Sequence, residues 1–439
     1  MKEKREYLKK LKPESLMMSY GYKAEWSEWA IKSPIFQTST FTFKNAEAGK
    51  NHFEIAYGKR TPVPGEEPGL VYTRINNPDI EILEDRLCLW DGAEACAAFA
   101  SGMAAISTTL MEFLQPGDLI AFCEPLYGGT EHFLRVFLPK MNIEAVSFLP
   151  GHSIDEVRTI IRKTGKADKL AMIYFETPAN PTNGLVDIEM VVALAKEFSP
   201  KHRRVLTVID NTFLGPIFQQ PIKFGVDLVI YSATKYIGGH SDVIAGATLG
   251  TTENIHRLKA LRSMLGTMVG AHTGWLLMRS LETLKPRMLL QCENAKRVAA
   301  WLSTHPKVRK VYYPGLLKPG DPQYDIYQRQ CLAPGAMISF DIVGGEREAF
   351  RFLNSMKLIK LAVSLGSTES LAEHPYSMTH CGVDDVVKQH IGITESLVRI
   401  SIGVEAPEDL IWDIEQALKY VEPAGEVHIK EDAAEGVKG

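Results

Sequence analysis

The sequence predicts an α/β fold, with a mostly parallel β-sheet in a large domain and a smaller α+β domain towards the C-terminus. From about Asp79 onwards, apolar runs alternate with helical patterns, as in a parallel sheet covered by helices. Four runs are almost entirely apolar, which is typical of strands buried on both faces. They cover residues 119–122, 171–175, 205–209 and 228–231.

Polar residues follow directly after each of these four runs. Because the carboxyl ends of parallel strands form one edge of a sheet, we expect the polar segments to lie close together. Ligands of open α/β sheets bind at that edge, which is therefore the predicted functional site. The polar segments are residues 124–129, 176–181, 210–212 and 232–235.

The 439 residues divide into four predicted segments. The N-terminal part has few periodic elements and a Pro/Gly-rich loop at 59–69, which indicates an arm. A long helix over 276–301, interrupted or kinked near Pro286, links the two domains. The expected boundaries are 1–75 for the arm, 76–285 for the large domain, 286–423 for the small domain and 424–439 for a disordered tail.

Composition predicts a soluble, cytoplasmic protein. A net charge of -4 argues against nucleic-acid binding, and no apolar run is long enough for a membrane span. The charged N-terminus lacks the apolar stretch of a signal peptide. The histidines His240, His272 and His380 show no metal-site spacing, so we expect structural roles and no metal. Six scattered cysteines indicate reduced thiols: Cys88, Cys96, Cys123, Cys292, Cys331 and Cys381.

Lys235 is the most informative residue, because it follows a strand-like run and the small residues Ser232-Ala233-Thr234. A lysine amine can form a Schiff base with an aldehyde cofactor, and Asp210 could pair with that cofactor's pyridinium nitrogen. The alternative is a solvated surface lysine in a tetrapeptide that arises by chance. Pyridoxal phosphate chemistry therefore requires further parts elsewhere in the chain.

A phosphate site is the first such part. Ser101, Gly102 and Met103 stand where small residues pass into a helical pattern. A helix N-terminus presents backbone N–H groups and a positive dipole to an anion. A plain helix cap is the alternative interpretation.

Taken in order, these motifs resemble the Cys/Met-metabolism family of pyridoxal-phosphate enzymes. The resemblance runs from about Pro34 to Ala417 and includes Ser364-Leu365-Gly366 and Met378-Thr379-His380. The family contains cystathionine γ-synthase, cystathionine γ-lyase, methionine γ-lyase and O-acylhomoserine sulfhydrylase. It implies a fold-type I, aspartate-aminotransferase-like structure and the cofactor pyridoxal 5'-phosphate.

The resemblance also implies a role for each motif residue at the cofactor. Lys235 would form the Schiff base and move protons, and Asp210 would keep the pyridine nitrogen protonated. Tyr127 would stack on the ring and act as an acid or base, with Asn180 beside the phenolic oxygen. The phosphate would be held by Ser101, Gly102, Met103, Ser232 and Thr234.

Substrate and partner contacts follow from the same resemblance. Arg399 would clamp the substrate α-carboxylate, a task suited to a planar bidentate donor, with Ser364 and Val363 nearby. A surface ion pair is the alternative for Arg399, but the apolar alternation around it favours a strand. Tyr72 and Arg74 would reach the phosphate and substrate of a neighbouring subunit, so the arm implies a homodimer and, by family habit, a homotetramer.

Several positions depart from the better-known members. Gly129 stands where methionine γ-lyases carry a reactive cysteine, and Arg262-Ser263 where they have a Lys-Asp pair. Val363 replaces a glutamate of cystathionine-handling members. The loop at 59–69 looks longer than usual, as in a canavanine γ-lyase, so a non-sulfur leaving group stays open.

We therefore expect γ-elimination from a γ-substituted L-amino acid such as methionine, canavanine or a homoserine derivative. The second hypothesis is γ-replacement, as in an O-acylhomoserine sulfhydrylase or a cystathionine γ-synthase, since both reactions share every residue above. A third hypothesis, of another class, is a non-catalytic protein that keeps the fold. The intact Lys235, Asp210, Tyr127 and Arg399 argue against it.

Overall fold

A seven-stranded sheet forms the centre of the larger part of the molecule. The computed structural model describes residues 10–63, 66, 69–200 and 203–421. The strand order is β1-β7-β6-β5-β4-β2-β3, and β7 alone runs antiparallel to its neighbours. The strands are β1 Ala95–Phe99, β2 Leu119–Cys123, β3 Glu144–Phe148, β4 Leu170–Glu176, β5 Leu206–Asp210, β6 Leu228–Tyr231 and β7 Gly246–Gly250.

Helices cover both faces of this sheet, as the continuous apolar strands predict. Alternate residues of β2 belong to two separate hydrophobic clusters, with Leu119 and Ala121 in one and Ile120 and Phe122 in the other. Both faces are therefore buried. The helices of this part are α3 Pro78–Asp91, α4 Gly102–Phe113, α5 Gly128–His132, α6 Ile154–Lys163, α7 Ile188–Phe198, α8 Gly215–Phe218, α9 Thr252–Leu265 and α10 Ala271–Leu281.

A second sheet of five strands follows, in the order β10-β11-β12-β9-β8. Only the short β10–β11 pair is parallel. The strands are β8 Val308–Tyr312, β9 Met337–Ile342, β10 Lys360–Leu361, β11 Leu371–Glu373 and β12 Leu397–Ser401. The helices are α11 Leu284–Leu302, α12 Tyr324–Gln330, α13 Glu346–Asn354, α14 Asp385–His390 and α15 Pro407–Leu418.

The long helix predicted over 276–301 is interrupted, but not by its proline. The structure has α10 and α11, separated at Glu282 and Thr283. Pro286 is the third residue of α11, where its missing N–H has no intrahelical partner to lose. The predicted domain boundary at 285/286 falls in the first turn of α11, and the division into four segments stays a prediction.

The N-terminal part is mostly irregular, with two helices that the sequence analysis did not predict. Helix α1 spans Pro13–Leu16, and α2 spans Ala46–Ala56. Asn45 caps α2, since its Oδ1 accepts a hydrogen bond from the backbone N–H of Ala48 at 2.8 Å. The loop at 59–69 is described only in part, and the predicted tail at 424–439 lies outside the described residues.

The described residues also contain six cysteines and several short helical turns. All six cysteines are free thiols. None of the helices in the described ranges is long and apolar enough to cross a membrane. Over the same ranges, no group of three His, Cys, Asp or Glu side chains could hold a metal ion. The turns are 3-10 segments at Ala24–Trp26, Leu138–Met141, Ala167–Lys169, Pro221–Phe224 and Pro314–Leu316, and a π-helical turn at Phe133–Phe137.

Candidate active site

The polar strand ends meet in one cavity at the carboxyl edge of the large sheet. Glu176 and Asp210 are register partners on the parallel strands β4 and β5, and Asp210 pairs with Ile230 of β6. The cavity has a volume of about 330 Å³, within the range of small-molecule sites. Nine of the predicted site residues line it: Ser101, Gly102, Met103, Tyr127, Asn180, Asp210, Ser232, Thr234 and Lys235.

Lys235 lies in this cavity in a turn that follows β6. Its backbone N–H donates to the Ser232 carbonyl at 3.0 Å, and its Nζ donates to Ser364 Oγ at 2.9 Å. Burial and the nearby Arg399 guanidinium lower the pKa of the Lys235 amine, while Glu373 and Asp210 act in the opposite direction. A lowered pKa increases the fraction of neutral amine, which is the nucleophilic form.

One end of the cavity offers backbone donors to an anion. Helix α4 begins at Gly102, and Ser101 caps it by accepting the N–H of Ala104 at 2.9 Å. The N–H groups of Gly102 and Met103 have no intrahelical partner at this position. A Cβ on residue 102 would lie 2.9 Å from Ser232 Oγ, so glycine lets α4 approach the lysine turn. This end suits a phosphate group.

Asp210 also lines the cavity, buried at the tip of β5. Its Oδ1 accepts the backbone N–H of Thr212 at 3.0 Å, and Thr212 Oγ1 in turn accepts the N–H of Ser232 at 2.9 Å. Burial raises the pKa of Asp210, and burial together with the charge of Asp210 raises that of Glu176 well above its usual value. A cation beside Asp210 would oppose this shift and keep its carboxylate ionised.

Tyr127 borders the cavity from the loop after β2. Its backbone N–H donates to Glu176 Oε1 at 2.8 Å, and its side chain is 43% exposed. A Cβ at Gly129 would lie 2.7 Å from Tyr127 Cε1 and 3.1 Å from Met103 Sδ. Any side chain at position 129 would therefore press against the Tyr127 ring and Met103.

Arg399 connects the small sheet to the cavity. Its Nη1 donates to Asn180 Oδ1 at 2.8 Å, and its Nη2 donates to the Ser364 carbonyl at 3.2 Å. The same guanidinium forms an ion pair with Glu373, at 2.7 Å. Ser364 has a φ of 114°, a region that non-glycine residues rarely adopt and that often marks functional sites. Ser364 thus links Lys235 to Arg399.

Comparison with known proteins decides the family. The family model described as "Cys/Met metabolism PLP-dependent enzyme" matches residues 14–419. An L-methionine γ-lyase of Fusobacterium nucleatum is 40% identical over 393 residues, which cover 89% of this chain and 94% of the relative.

The chain belongs to the Cys/Met-metabolism family.

Two solved structures of the family agree with the fold. A cystathionine γ-synthase of Xanthomonas oryzae, in complex with aminoacrylate and cysteine, has a TM-score of 0.83 and 31% identity, covering 94% of this chain and 98% of its own. A Campylobacter jejuni protein that bears the name O-acetylhomoserine (thiol)-lyase has a TM-score of 0.84 and 27% identity, covering 93% and 100%, and it contains pyridoxyl-lysine phosphate. The predicted fold-type I architecture is confirmed.

Pyridoxal 5'-phosphate is the cofactor of this protein, which is a lyase or transferase of amino-acid metabolism. The cavity fits that molecule because groups in its lining match the phosphate and the pyridine nitrogen. Backbone donors at the start of α4 match the phosphate, and the buried Asp210 matches the pyridine nitrogen. Lys235, whose amine can react with an aldehyde, and Tyr127 line the same cavity.

Five residues predicted for the site lie outside the cavity lining, namely Tyr72, Arg74, Val363, Ser364 and Arg399. Tyr72 is 42% exposed, and Arg74 donates to the Ser263 carbonyl at 2.6 Å. Val363 is 56% exposed beyond β10. Arg262, one of the departures from methionine γ-lyases, is buried and pairs with Glu84 at 2.5 Å, so within this chain it supports the packing of α9.

Sequence reasoning missed several residues of the site. Thr212, Phe213 and Ile244 line the cavity, and Thr212 could have been found because it belongs to the polar segment 210–212 that Asp210 begins. Glu373 lies 26 residues before Arg399 and meets it only through pairing of β11 with β12. No local sequence pattern predicts such a cross-strand contact. His240 and His380 make backbone contacts, with Gly238 and Leu126 respectively, in keeping with structural roles.

Proposed function

We propose that this protein catalyses γ-elimination from a γ-substituted L-amino acid, releasing a 2-oxo acid and ammonia. The hydrogen bond between Lys235 Nζ and Ser364 Oγ is the observation that carries the proposal. It brings the amine that handles protons to the residue whose carbonyl accepts from Arg399. The amine that moves protons and the guanidinium that binds the carboxylate therefore both contact Ser364.

Proton transfer is the task of Lys235. Bound pyridoxal phosphate supplies an electron sink that acidifies the substrate α-carbon. Once the substrate amine has replaced it, the Lys235 amine is free to accept the α-proton and to return protons nearby. Its lowered pKa favours the neutral form that accepts them.

Binding of the substrate α-carboxylate is the task of Arg399. Its side chain is buried and held by Asn180 and Ser364 in a fixed orientation, which favours bidentate recognition of a planar carboxylate. Tyr127 lines the cavity, and its hydroxyl can act as an acid on the leaving γ-substituent.

Three observations bear on the identity of the γ-substituent. The likeness to an L-methionine γ-lyase at 40% identity favours elimination. The hydrophobic Val363 offers no carboxylate to the distal amino group of cystathionine. Position 129 lacks the cysteine of methionine γ-lyases, so canavanine and homoserine derivatives have to be tested alongside methionine.

The second candidate is γ-replacement, in which a sulfur nucleophile takes the place of the γ-substituent. It is supported by the likeness to solved structures named cystathionine γ-synthase and O-acetylhomoserine (thiol)-lyase. The same catalytic side chains serve both reactions. The outcome depends on whether a nucleophile or water completes the turnover.

Tyr72 and Arg74 belong to the proposal in a different way. Neither lines the cavity of its own chain, and Tyr72 is exposed beside the isolated bridge to Thr40. We propose that both reach the phosphate end of a neighbouring subunit, so that the active unit is a homodimer within a homotetramer. We also propose a cytoplasmic location, with no nucleic-acid or membrane partner.

A product assay tests the proposed reaction. Purified protein is incubated with methionine, cystathionine, canavanine, homocysteine and O-acetylhomoserine, each with and without a thiol. We expect 2-oxobutyrate and ammonia from at least one substrate without a thiol. Thioether formation without any 2-oxo acid would replace elimination by the second candidate.

A further inference from the structure

Glu373 is a buried carboxylate that no step above uses. It ends β11 and is the register partner of Arg399 on β12. Its carboxylate lies 2.7 Å from Arg399 Nη1, and the two side chains are only 1% and 3% exposed. An ion pair this deeply buried is shielded from solvent screening, so its geometry and charge both act on the groups around it.

Glu373 is held in place from a second side. Thr379 Oγ1 donates to Glu373 Oε1 at 3.0 Å. The other carboxylate oxygen, Oε2, is buried and has no hydrogen-bond partner among the described residues. With Asn180 Oδ1 and the Ser364 carbonyl, Glu373 completes a set of three acceptors that surround the Arg399 guanidinium.

The charge of Glu373 also reaches Lys235. Burial is the main cause that lowers the pKa of the Lys235 amine, and the Arg399 cation lowers it further. Glu373 and Asp210 are the anions that counter this effect. The phenol of Tyr127 and the carboxyl of Glu176 are the other titratable groups in the cavity lining.

We propose that Glu373 is a positioning residue that fixes the Arg399 guanidinium and offsets its positive charge at Lys235. This inference rests on the proposed function, in which Lys235 carries the cofactor and Arg399 binds the α-carboxylate. The clamp then selects its ligand by directed hydrogen bonds, because the Arg399–Glu373 pair carries no net charge. Lys235 titrates in the field of a neutral pair rather than of a lone cation.

Two substitutions separate the charge of Glu373 from its position. Glu373→Gln keeps an oxygen acceptor for Arg399 and Thr379 but removes the charge. Glu373→Asp keeps the charge but withdraws the carboxylate from the 2.7 Å contact. Glu408→Gln is the matched control, because it removes the same charge from an exposed pair with Arg297 far from the cavity.

The first readout is the pH titration of the visible absorption of the lysine-linked cofactor, without substrate. Removing an anion disfavours the protonated form, so Glu373→Gln should move the midpoint to lower pH by about one unit. Glu373→Asp and the Glu408→Gln control should leave the midpoint within about 0.3 unit of the wild type. An unchanged midpoint in Glu373→Gln would contradict the claim that Glu373 offsets the charge of Arg399 at Lys235.

The second readout is steady-state kinetics on the best substrate. Glu373→Asp should raise KM roughly tenfold and change kcat much less, because a displaced clamp weakens binding of the α-carboxylate. An unchanged KM would overturn the positioning role. Thr379→Val, which removes the hydroxyl contacts with Glu373 and His380 but keeps the charge of Glu373, should raise KM by a smaller factor and leave the midpoint unchanged. It tests the positioning role if Glu373→Gln fails to fold. A wild-type protein without the visible band would instead refute the proposed function.

Discussion

The cofactor end and the carboxylate end of the candidate site are built in different ways. The cofactor end consists of Ser101, Asp210 and Lys235, which line the cavity and lie at or shortly after the ends of strands of one sheet. The carboxylate end consists of Glu373 and Arg399, which pair across β11 and β12 of the second sheet, and of Ser364, whose carbonyl accepts from Arg399. The first end is fixed by local sequence and the second by tertiary pairing.

This difference assigns different consequences to substitutions at the two ends. A change at the cofactor end should act on the chemical step, since those residues line the cavity proposed for the cofactor. A change at the carboxylate end should act on substrate binding and on the stability of the interface between the two sheets. The predictions below test this division, beginning with the largest expected effect.

Asp210→Asn should reduce kcat by roughly 10³-fold, because a neutral amide no longer keeps the pyridine nitrogen protonated. The reduction should appear in the rate of 2-oxo acid formation at saturating substrate. The exposed Asp168, which lies outside the cavity, provides the control Asp168→Asn. A loss confined to KM would place Asp210 on the substrate side and break the division.

His380 is a buried residue that contacts the loop after β2, and it should contribute to the pH dependence of stability. Its Nε2 lies 3.2 Å from the Leu126 carbonyl oxygen, and its Nδ1 lies 3.0 Å from Thr379 Oγ1. Burial, with help from Arg399, lowers the pKa of His380 to about 4. The folded state therefore excludes a proton that the unfolded chain binds below about pH 6.5.

The wild type should consequently lose about 3 kcal/mol of unfolding free energy from this group as the pH falls from about 6.5 to 4. His380→Gln should lack this part of the loss. Urea unfolding of both proteins at fixed protein concentration, from pH 8 to pH 4, measures the difference. Parallel stability curves would show that His380 does not titrate on unfolding.

Arg399→Lys should raise KM about tenfold or more with a smaller effect on kcat, because lysine cannot donate to Asn180, Ser364 and a carboxylate in one plane. Arg297→Lys, in an exposed ion pair, is the matched control. Equal losses in kcat and kcat/KM would mean that Arg399 acts in the transition state only, and the two ends would then not differ as described.

Tyr72 and Arg74 give the smallest expected signal, because they lie outside the cavity of their own chain. Subunits carrying Tyr72→Ala should be mixed with subunits carrying Lys235→Ala. If Tyr72 serves a neighbour, mixed dimers contain one intact site in two, and random mixing restores up to about a quarter of wild-type activity. No recovery in verified mixed dimers would place Tyr72 in the site of its own chain.

The sequence predicted that Ser101, Asp210 and Lys235 lie close together, because each of them sits in a contiguous pattern. The apolar runs before Asp210 and Lys235 predicted the strands, and the shared direction of those strands brought the two residues together. Ser101 was recognisable as a helix cap for the same local reason.

The carboxylate end was predicted only in part. Arg399 was found through the family resemblance, whereas its partner Glu373 was missed, because antiparallel register is set by packing rather than by local pattern. The role of Pro286 was also misjudged, since a proline in the first turn of a helix leaves the helix intact. Helix α2 was missed in a segment without strong periodicity.

Absorption spectroscopy of the purified protein and its Lys235→Ala variant tests the central claim most directly. The account predicts a visible band of the lysine-linked cofactor in the wild type, and its loss in Lys235→Ala with the fold preserved by circular dichroism. Lys169→Ala, at an exposed lysine, should keep the band. A band that persists in Lys235→Ala would contradict the assignment of the cofactor to this lysine.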